Sequence, residues 1–102
     1  MKKLSDITEI EVKTICELLG EPYIGYMTNS DGKWDDISPE LEVQIATYSS
    51  INDDYDSFIW IKEDGSVSLW RNNGNWNGSW YETIDENVVI KYLKDRGYLQ
   101  NV

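Results

Sequence analysis

The sequence contains no histidine and a single cysteine, Cys16. Histidine is the commonest general base and metal ligand in proteins, so its absence removes the usual centre of acid–base and metal chemistry. One cysteine cannot form a disulfide within the chain, which is typical of a reducing compartment. Cys16 also has no histidine to activate it as a nucleophile. We therefore expect a cytoplasmic protein that is not an enzyme and carries no cofactor.

Basic residues are scarce as well. Nine Lys and Arg residues face nineteen Asp and Glu residues, for a net charge of −10. A nucleic-acid-binding protein normally carries a basic stripe that displaces counterions from phosphates, so direct binding to DNA or RNA is not expected. The same charge argues against docking on anionic membranes. No apolar run of 18 residues is present, and acids follow Lys2 and Lys3 too soon for a signal-peptide core.

The composition predicts one folded domain over residues 1–102, since 40 % of the residues are apolar and 13 % are aromatic. Residues 6–19 repeat apolar side chains with a helical period, which predicts an amphipathic first helix. Two pairs fit a capping box at its start, Asp6 with Glu9 and Thr8 with Glu11. Gly20 follows the helix and suits a left-handed stop.

Strands are predicted for the middle of the chain. Residues 40–49 are ambiguous, because Ser38 and Pro39 suit a helix start whereas Val43 and Ile45 belong to a strict alternation with polar residues. The β-branched content favours a strand. The clearest signal is a hairpin that turns at Asp64 and Gly65. The predicted extended segments are residues 23–28, 40–49, the hairpin 57–71 and residues 80–83.

A second helix is predicted over residues 84–96, with a capping box formed by Thr83 and Glu86. Gly97 should end it, and Leu99 is placed to pack back on Leu93 as in a Schellman motif. The fold class is therefore α+β: an antiparallel sheet of four to five strands, a meander with a central hairpin, flanked by an N-terminal and a C-terminal helix.

The negative charge is concentrated in one region. Residues 31–64 carry ten acids and only two lysines. The spacing does not match an EF-hand loop, so no metal site is predicted. A concentrated field of one sign attracts partners of the other sign, although acids on loops also keep a small protein soluble. The candidate partner-binding residues are Asp31, Asp35, Asp36, Glu40, Glu42, Asp53, Asp54 and Asp56.

In size, acidity, its single cysteine and its lack of catalytic groups, the chain resembles two loose classes, phage-encoded inhibitors of host defence and bacterial toxin-immunity proteins. The resemblance is one of character and covers no motif. The concentrated acidic charge predicts a basic protein as partner, such as a nucleic-acid-binding host protein or a toxin. If Glu40 and Glu42 line one side of a strand, they lie about 6.7 Å apart, and such a row of carboxylates would imitate nucleic acid.

An alternative function uses the aromatic segment near the C-terminal helix. Trp70, Trp76, Trp80 and Tyr81 lie within twelve residues, interleaved with asparagines. This mixture suits a carbohydrate- or small-ligand-binding module, and the same residue types anchor protein interfaces. We expect Trp60 and Trp70 to belong to the core and Trp76 to be exposed. A structural subunit that self-associates is a third possibility. The candidate residues of the aromatic site are Trp76, Trp80, Asn75 and Asn77.

Overall fold

The computed structural model describes residues 1–30, 40–74 and 78–100. Two α-helices and five β-strands follow one another along these residues, after a short 3₁₀ helix at Leu4–Asp6. This arrangement confirms the predicted α+β fold. The elements are α1 (Glu9–Leu19), β1 (Gly25–Thr28), β2 (Leu41–Tyr48), β3 (Asp56–Lys62), β4 (Val67–Asn72), β5 (Ser79–Glu82) and α2 (Glu86–Asp95).

The five strands form one antiparallel sheet in the order β1-β2-β3-β4-β5, so every strand pairs with its neighbours in sequence. The predicted central hairpin is β3 and β4. Its turn is fixed by Gly65, which has a φ of 87°, and by Asp64, whose Oδ1 accepts a hydrogen bond from the Ser66 N–H at 2.9 Å. The ambiguous segment 40–49 is extended, as the alternation predicted, and its pairing with β3 contains two register shifts.

One face of the sheet forms the core. The side chains that point into it alternate along β2, β3 and β4 and are almost completely buried, as are the apolar side chains of both helices that pack on them. Both helices therefore cover the same face. The buried strand residues are Val43, Ile45, Ile59, Ile61, Val67 and Leu69, and the buried helix residues are Val12, Ile15, Cys16, Val89 and Leu93.

The first helix begins with the second of the two predicted capping boxes. The Thr8 hydroxyl accepts from the Glu11 N–H, and the Glu11 carboxylate accepts from the Thr8 N–H. Asp6 cannot serve this role because it lies in the preceding 3₁₀ helix. At the other end Gly20 is left-handed, with a φ of 70°, and the Glu21 N–H donates to the Cys16 carbonyl at 2.9 Å. This turn fixes the direction in which Glu21 leaves the helix.

The predicted capping box of the second helix is wrong. The helix begins at Glu86, its N-cap is Asp85, and no side chain caps it. Residues 83–85 link β5 to α2, so the helix begins two residues later than predicted and Thr83 lies outside it. The predicted C-terminal stop is confirmed: Gly97 has a φ of 87°, and the Tyr98 N–H donates to the Leu93 carbonyl at 2.9 Å. The left-handed Gly97 and this hydrogen bond are the features of a Schellman motif.

Among the described residues, neither helix is long and apolar enough to cross a membrane.

Candidate functional site

The described members of the predicted acidic surface lie at opposite ends of the sheet. Glu40 is in the turn before β2, where its carbonyl accepts from the Glu63 N–H at 2.8 Å and its carboxylate lies 3.6 Å from Lys62 Nζ. Asp53 and Asp54 follow β2 at its other end. A strand of eight residues is about 26 Å long at about 3.3 Å per residue. The described acids therefore do not form the continuous row that a strand of carboxylates would give. Asp31, Asp35 and Asp36 lie outside the described residues.

Two of the predicted acids occupy structured positions. Asp56 accepts a hydrogen bond from the Ser50 N–H at 2.8 Å and so stabilises the turn between β2 and β3. Glu42 is half-buried at a register shift of β2 and lines a surface cavity of about 320 Å³ together with Lys2, Lys3 and Glu63. Over residues 1–30, 40–74 and 78–100, no three acidic or cysteine side chains come together as a metal site would require.

The other face of the sheet carries an aromatic cluster that we call the aromatic face: Phe58, Trp60, Trp70 and Tyr81. The antiparallel register explains it, because directly opposed residues point to the same side and Phe58 opposes Trp70, which opposes Tyr81. Phe58, Trp60 and Trp70 are half-buried, and Tyr81 is 64 % exposed. The helices lie on the opposite side of the sheet. This face therefore presents apolar rings where a two-layer protein usually presents polar side chains.

The rings of the aromatic face stack on one another. Trp70 lies nearly parallel to Trp60, with ring centroids 5.1 Å apart and an interplanar angle of 15°, and nearly parallel to Phe58 at 6.1 Å. Tyr81 meets Trp60 edge to face at 6.4 Å. The Trp60 indole N–H donates to the Gln44 side chain at 2.9 Å, so its polar atom is satisfied within the face. The rings of the aromatic face therefore support one another, and the polar atom of Trp60 is paired.

Small and flexible residues border the aromatic face on its β1 side. Gly25 opposes Ala46, which opposes Phe58. The row of side chains therefore begins with two small residues and continues with an aromatic ring. Beside it Met27, which is 57 % exposed, opposes Gln44. The row from Gly25 to Tyr81 crosses five strands, or about 19 Å at about 4.8 Å per strand. The aromatic face therefore gives way to smaller and more flexible side chains at β1.

The expectation that Trp60 and Trp70 belong to the core is wrong. Their neighbours Ile59, Ile61 and Leu69 fill the core, and the indoles take the opposite side of the same strands. Residues 58–61 are apolar at every position, so this segment alone does not show which side faces the helices. The signal lay in the neighbouring strands, where polar Gln44 and Ser68 share a side with Trp60. That side is the one that faces away from the helices.

A second cluster surrounds Arg71 on the helix side of the sheet. Its guanidinium lies 2.6 Å from the Glu21 carboxylate, donates to the Tyr55 hydroxyl at 2.6 Å, and lies 3.6 Å from Glu82. The rings of Tyr48 and Tyr55 lie 5.6 and 5.1 Å from it. Burial raises the pKa of Glu21 above its ordinary value, although Arg71 acts in the opposite direction. The cluster joins α1 to three strands, and we assign it a structural role.

The aromatic site proposed from the sequence is only partly described. Trp76, Asn75 and Asn77 lie outside the described residues. Trp80 is exposed to 38 %, and it points to the helix side of β5, away from the aromatic face. Its ring meets Tyr55 edge to face at 5.8 Å, and its indole N–H donates to Glu82 at 2.8 Å. Trp80 thus borders the Arg71 cluster.

The single thiol is buried in α1, between the helix and the sheet. Burial raises the pKa of Cys16 to about 11, and the nearby carboxylates of Glu21 and Glu17 act in the same direction. A thiol with this pKa holds almost no thiolate at neutral pH, and it is the thiolate that reacts. Cys16 therefore behaves as a small apolar core residue.

Comparison with protein-family models, curated proteins and solved structures finds no match to this chain. The function is therefore argued from the geometry described above.

Proposed function

We propose that this chain is a protein-binding module for a basic partner and that the aromatic face is its anchor. The observation that carries the proposal is the stack of Phe58, Trp70 and Trp60 on the side of the sheet away from both helices. Exposed apolar patches of this kind mark interaction sites. Tryptophan and tyrosine are also the residues that most often dominate binding energy at interfaces.

The charge of the chain supports a cationic partner. The net charge is −10, and within the described residues five cations are already paired with the chain's own carboxylates. The remaining excess of acids attracts a basic surface and raises its association rate. Arginine side chains of such a partner can also pack on the exposed ring of Tyr81. The paired cations are Lys13, Lys62, Arg71, Lys91 and Arg96.

In this proposal the acids and the aromatic rings have different roles. It therefore differs from an imitation of nucleic acid by a row of carboxylates. With Glu40 at one end of β2 and Asp53 and Asp54 at the other, the described acids act as a diffuse field. Such a field steers a partner but does not position it. The rings provide the positioning. A basic groove on the partner would be blocked as a consequence of this binding.

The proposal is tested by capture of the partner with the immobilised protein from an extract of the source cell, followed by mass spectrometry and titration with the purified partner. Tyr81→Ala combined with Met27→Ser removes two exposed members of the surface, and we expect affinity to fall at least tenfold, roughly what two interface anchors contribute. Ile51→Ser is the matched control, because Ile51 is an 88 % exposed apolar residue in the turn between β2 and β3.

Salt separates this function from the carbohydrate alternative. Binding to a basic protein should weaken steeply between about 50 mM and about 300 mM salt, whereas binding to a neutral glycan should hardly change. An acidic partner, a salt-insensitive complex, or full affinity of the double variant would each contradict the proposal. Trp60 and Trp70 stack their faces on each other, which leaves less ring surface for a sugar.

A further inference from the structure

The last strand, β5, forms an edge of the sheet. All four of its residues, Ser79–Glu82, are exposed, and its pairing with β4 is regular along its whole length. Within the described part of the chain, β4 is the one strand that pairs with it. A strand edge of this kind presents free backbone groups to other chains.

The direction of those backbone groups follows from one hydrogen bond. The Asn73 N–H donates to the Gly78 carbonyl at 3.0 Å, next to the opposed pair Asn72 and Ser79. Hydrogen-bonded and non-hydrogen-bonded pairs alternate in an antiparallel ladder. Trp80 and Glu82 therefore bond to β4, and Ser79 and Tyr81 direct their N–H and C=O groups outward.

Natural edge strands are commonly protected by short length, by charged side chains, lysine above all, by proline or by a bulge, and β5 has four residues and one charge, Glu82. The sequence of β5 is Ser-Trp-Tyr-Glu, without proline or lysine, and its register with β4 contains no shift. Two of its four residues are aromatic, and Tyr81 is part of the aromatic face. Within residues 1–30, 40–74 and 78–100, no strand pairs with this edge, and it is continuous with the surface that we propose as the anchor.

We propose that the outward edge of β5 takes up an extended, basic segment of the partner as an additional strand. This inference rests on the proposed function and specifies the partner segment. Side chains of an added strand alternate between the two sides of the sheet. On the helix side they meet Trp80 and Glu82, which are both exposed, and on the other side they meet Ser79 and Tyr81. The segment therefore alternates basic residues with apolar ones.

Charge favours such a segment over a second copy of this chain. Glu82 is followed by the exposed acids Asp85 and Glu86, and each copy carries a net charge of −10. Two copies that pair edge to edge bring like charges together, whereas a basic strand neutralises them.

Two synthetic peptides of equal charge test the backbone pairing. The first is a capped hexapeptide that alternates arginine and valine, and the second is the same sequence with its valine amides N-methylated, because the valines opposite Ser79 and Tyr81 are the residues that would donate to the edge. We expect the first to bind at least about tenfold more tightly, since main-chain hydrogen bonds contribute roughly 1 kcal/mol each. Binding is measured by titration calorimetry at low salt.

A matched pair of protein variants tests the edge itself. Ser79→Pro removes an outward N–H without touching the hydrogen bonds to β4, and proline is tolerated on an edge strand. Ser79→Ala removes the same hydroxyl and keeps the N–H. We expect Ser79→Pro to lose about fivefold or more in affinity for the unmodified peptide and Ser79→Ala to bind as the original chain does. Circular dichroism of both variants verifies that the sheet is intact.

The outcomes separate this inference from the proposed function. If the N-methylated peptide binds as tightly as the unmodified one, the added strand is excluded and the basic partner stands. If neither peptide binds at low salt while an identified basic partner does, the added strand is again excluded. If no basic ligand binds, both proposals fail. A dimer in sedimentation that Ser79→Pro dissociates would assign the edge to a second copy and overturn the proposed occupant.

Discussion

Glu11 is a buried carboxylate that joins the two ends of the chain. Its oxygens accept hydrogen bonds from the Tyr98 hydroxyl at 2.5 Å, from Arg96 Nε at 2.9 Å, and from the N–H and hydroxyl of Thr8 at 3.0 Å each. Burial raises the pKa of Glu11, but the bonds from Tyr98, Thr8 and Arg96 outweigh it and lower the pKa to about 2. The ionised form is thus the one that the folded protein stabilises.

Replacement of Glu11 by glutamine should destabilise the protein at neutral pH. Glutamine keeps the size of the side chain but loses the charge that faces Arg96, and we expect the free energy of unfolding to fall by about 2 kcal/mol. Because the folded pKa, about 2, lies below the ordinary value of 4.5, the stabilisation is complete above pH 4.5 and is lost as the pH falls towards 2. Urea unfolding at neutral and acidic pH measures both effects.

Glu9→Gln is the matched control for this prediction. Glu9 lies in the same first turn of α1, but it is exposed; its carboxylate is 3.7 Å from Lys13 Nζ and accepts a hydrogen bond from the Tyr23 hydroxyl at 3.0 Å on the surface. Such pairs contribute roughly 0.5 kcal/mol or less. Equal losses for Glu9→Gln and Glu11→Gln, or a Glu11→Gln effect that persists unchanged at acidic pH, would contradict the role assigned to Glu11.

The sequence predicts the local half of the Glu11 site and not the distant half. The pairing with Thr8 spans one helical turn, so the spacing of the two residues reveals it. Tyr98 and Arg96 lie more than eighty residues away, and they meet Glu11 because α2 packs beside α1 and the turn at Gly97 follows directly after it. No pattern within a short window of sequence contains that contact.

At the level of elements, β3 shows how one strand serves two surfaces. Ile59 is completely buried under the helices, and Trp60, the next residue, belongs to the aromatic face. We expect Ile59→Ala to cost about 3 kcal/mol, since it leaves a cavity in the core. Trp60→Ala removes a larger side chain but should cost only about 1.5 kcal/mol, because the ring is half-buried. Denaturant unfolding of both variants measures the difference.

Trp60→Phe controls for the hydrogen bond between Trp60 and Gln44, since it keeps a ring in the stack and removes the indole N–H. The free energy of unfolding of Trp60→Phe should lie between that of Trp60→Ala and that of the original chain. If Trp60→Ala lowers the free energy of unfolding more than Ile59→Ala does, the indole belongs to the core and the basis for a binding face is removed. The order is therefore a test of function as well as of packing.

The elements themselves are predictable here where the chain marks them locally. The Asp64-Gly65 turn, the left-handed Gly20 and Gly97, and the alternation along β2 each specify a short segment, and each is confirmed. The start of α2 is not predictable in the same way, because the pairing of Glu82 with Leu69 decides how far β5 extends. The positions of the acidic residues are also not predictable from local sequence. The length of β2 separates Glu40 from Asp53 and Asp54.

For the whole molecule, charge acts on stability as well as on binding. The excess of ten negative charges repels itself in the compact state, and surface ion pairs such as Lys91 with Asp95 offset little of it. The Debye length falls from about 10 Å at 0.1 M salt to about 3 Å at 1 M. Screening therefore relieves the repulsion more than it weakens the short, partly buried contacts of Glu11 and Arg71.

Added salt should accordingly stabilise the free protein. We expect the melting temperature to rise by about 3 °C or more between low salt and about 0.5 M sodium chloride, which corresponds to roughly 0.5–1 kcal/mol for a domain of this size. Asp53→Asn combined with Asp54→Asn removes two exposed charges from one turn, so this variant should melt higher at low salt and gain less from added salt. Calorimetry or circular dichroism measures the melting temperatures.

Opposite responses to salt then distinguish recognition from folding. Screening strengthens the fold of the acidic chain and weakens its attraction to a basic partner, so affinity should fall over the same range in which the melting temperature rises. A loss of binding at high salt thus cannot be explained by unfolding. A melting temperature that falls with salt would mean that surface ion pairs outweigh the net repulsion. That result would contradict the expectation that net repulsion governs the stability of the free chain.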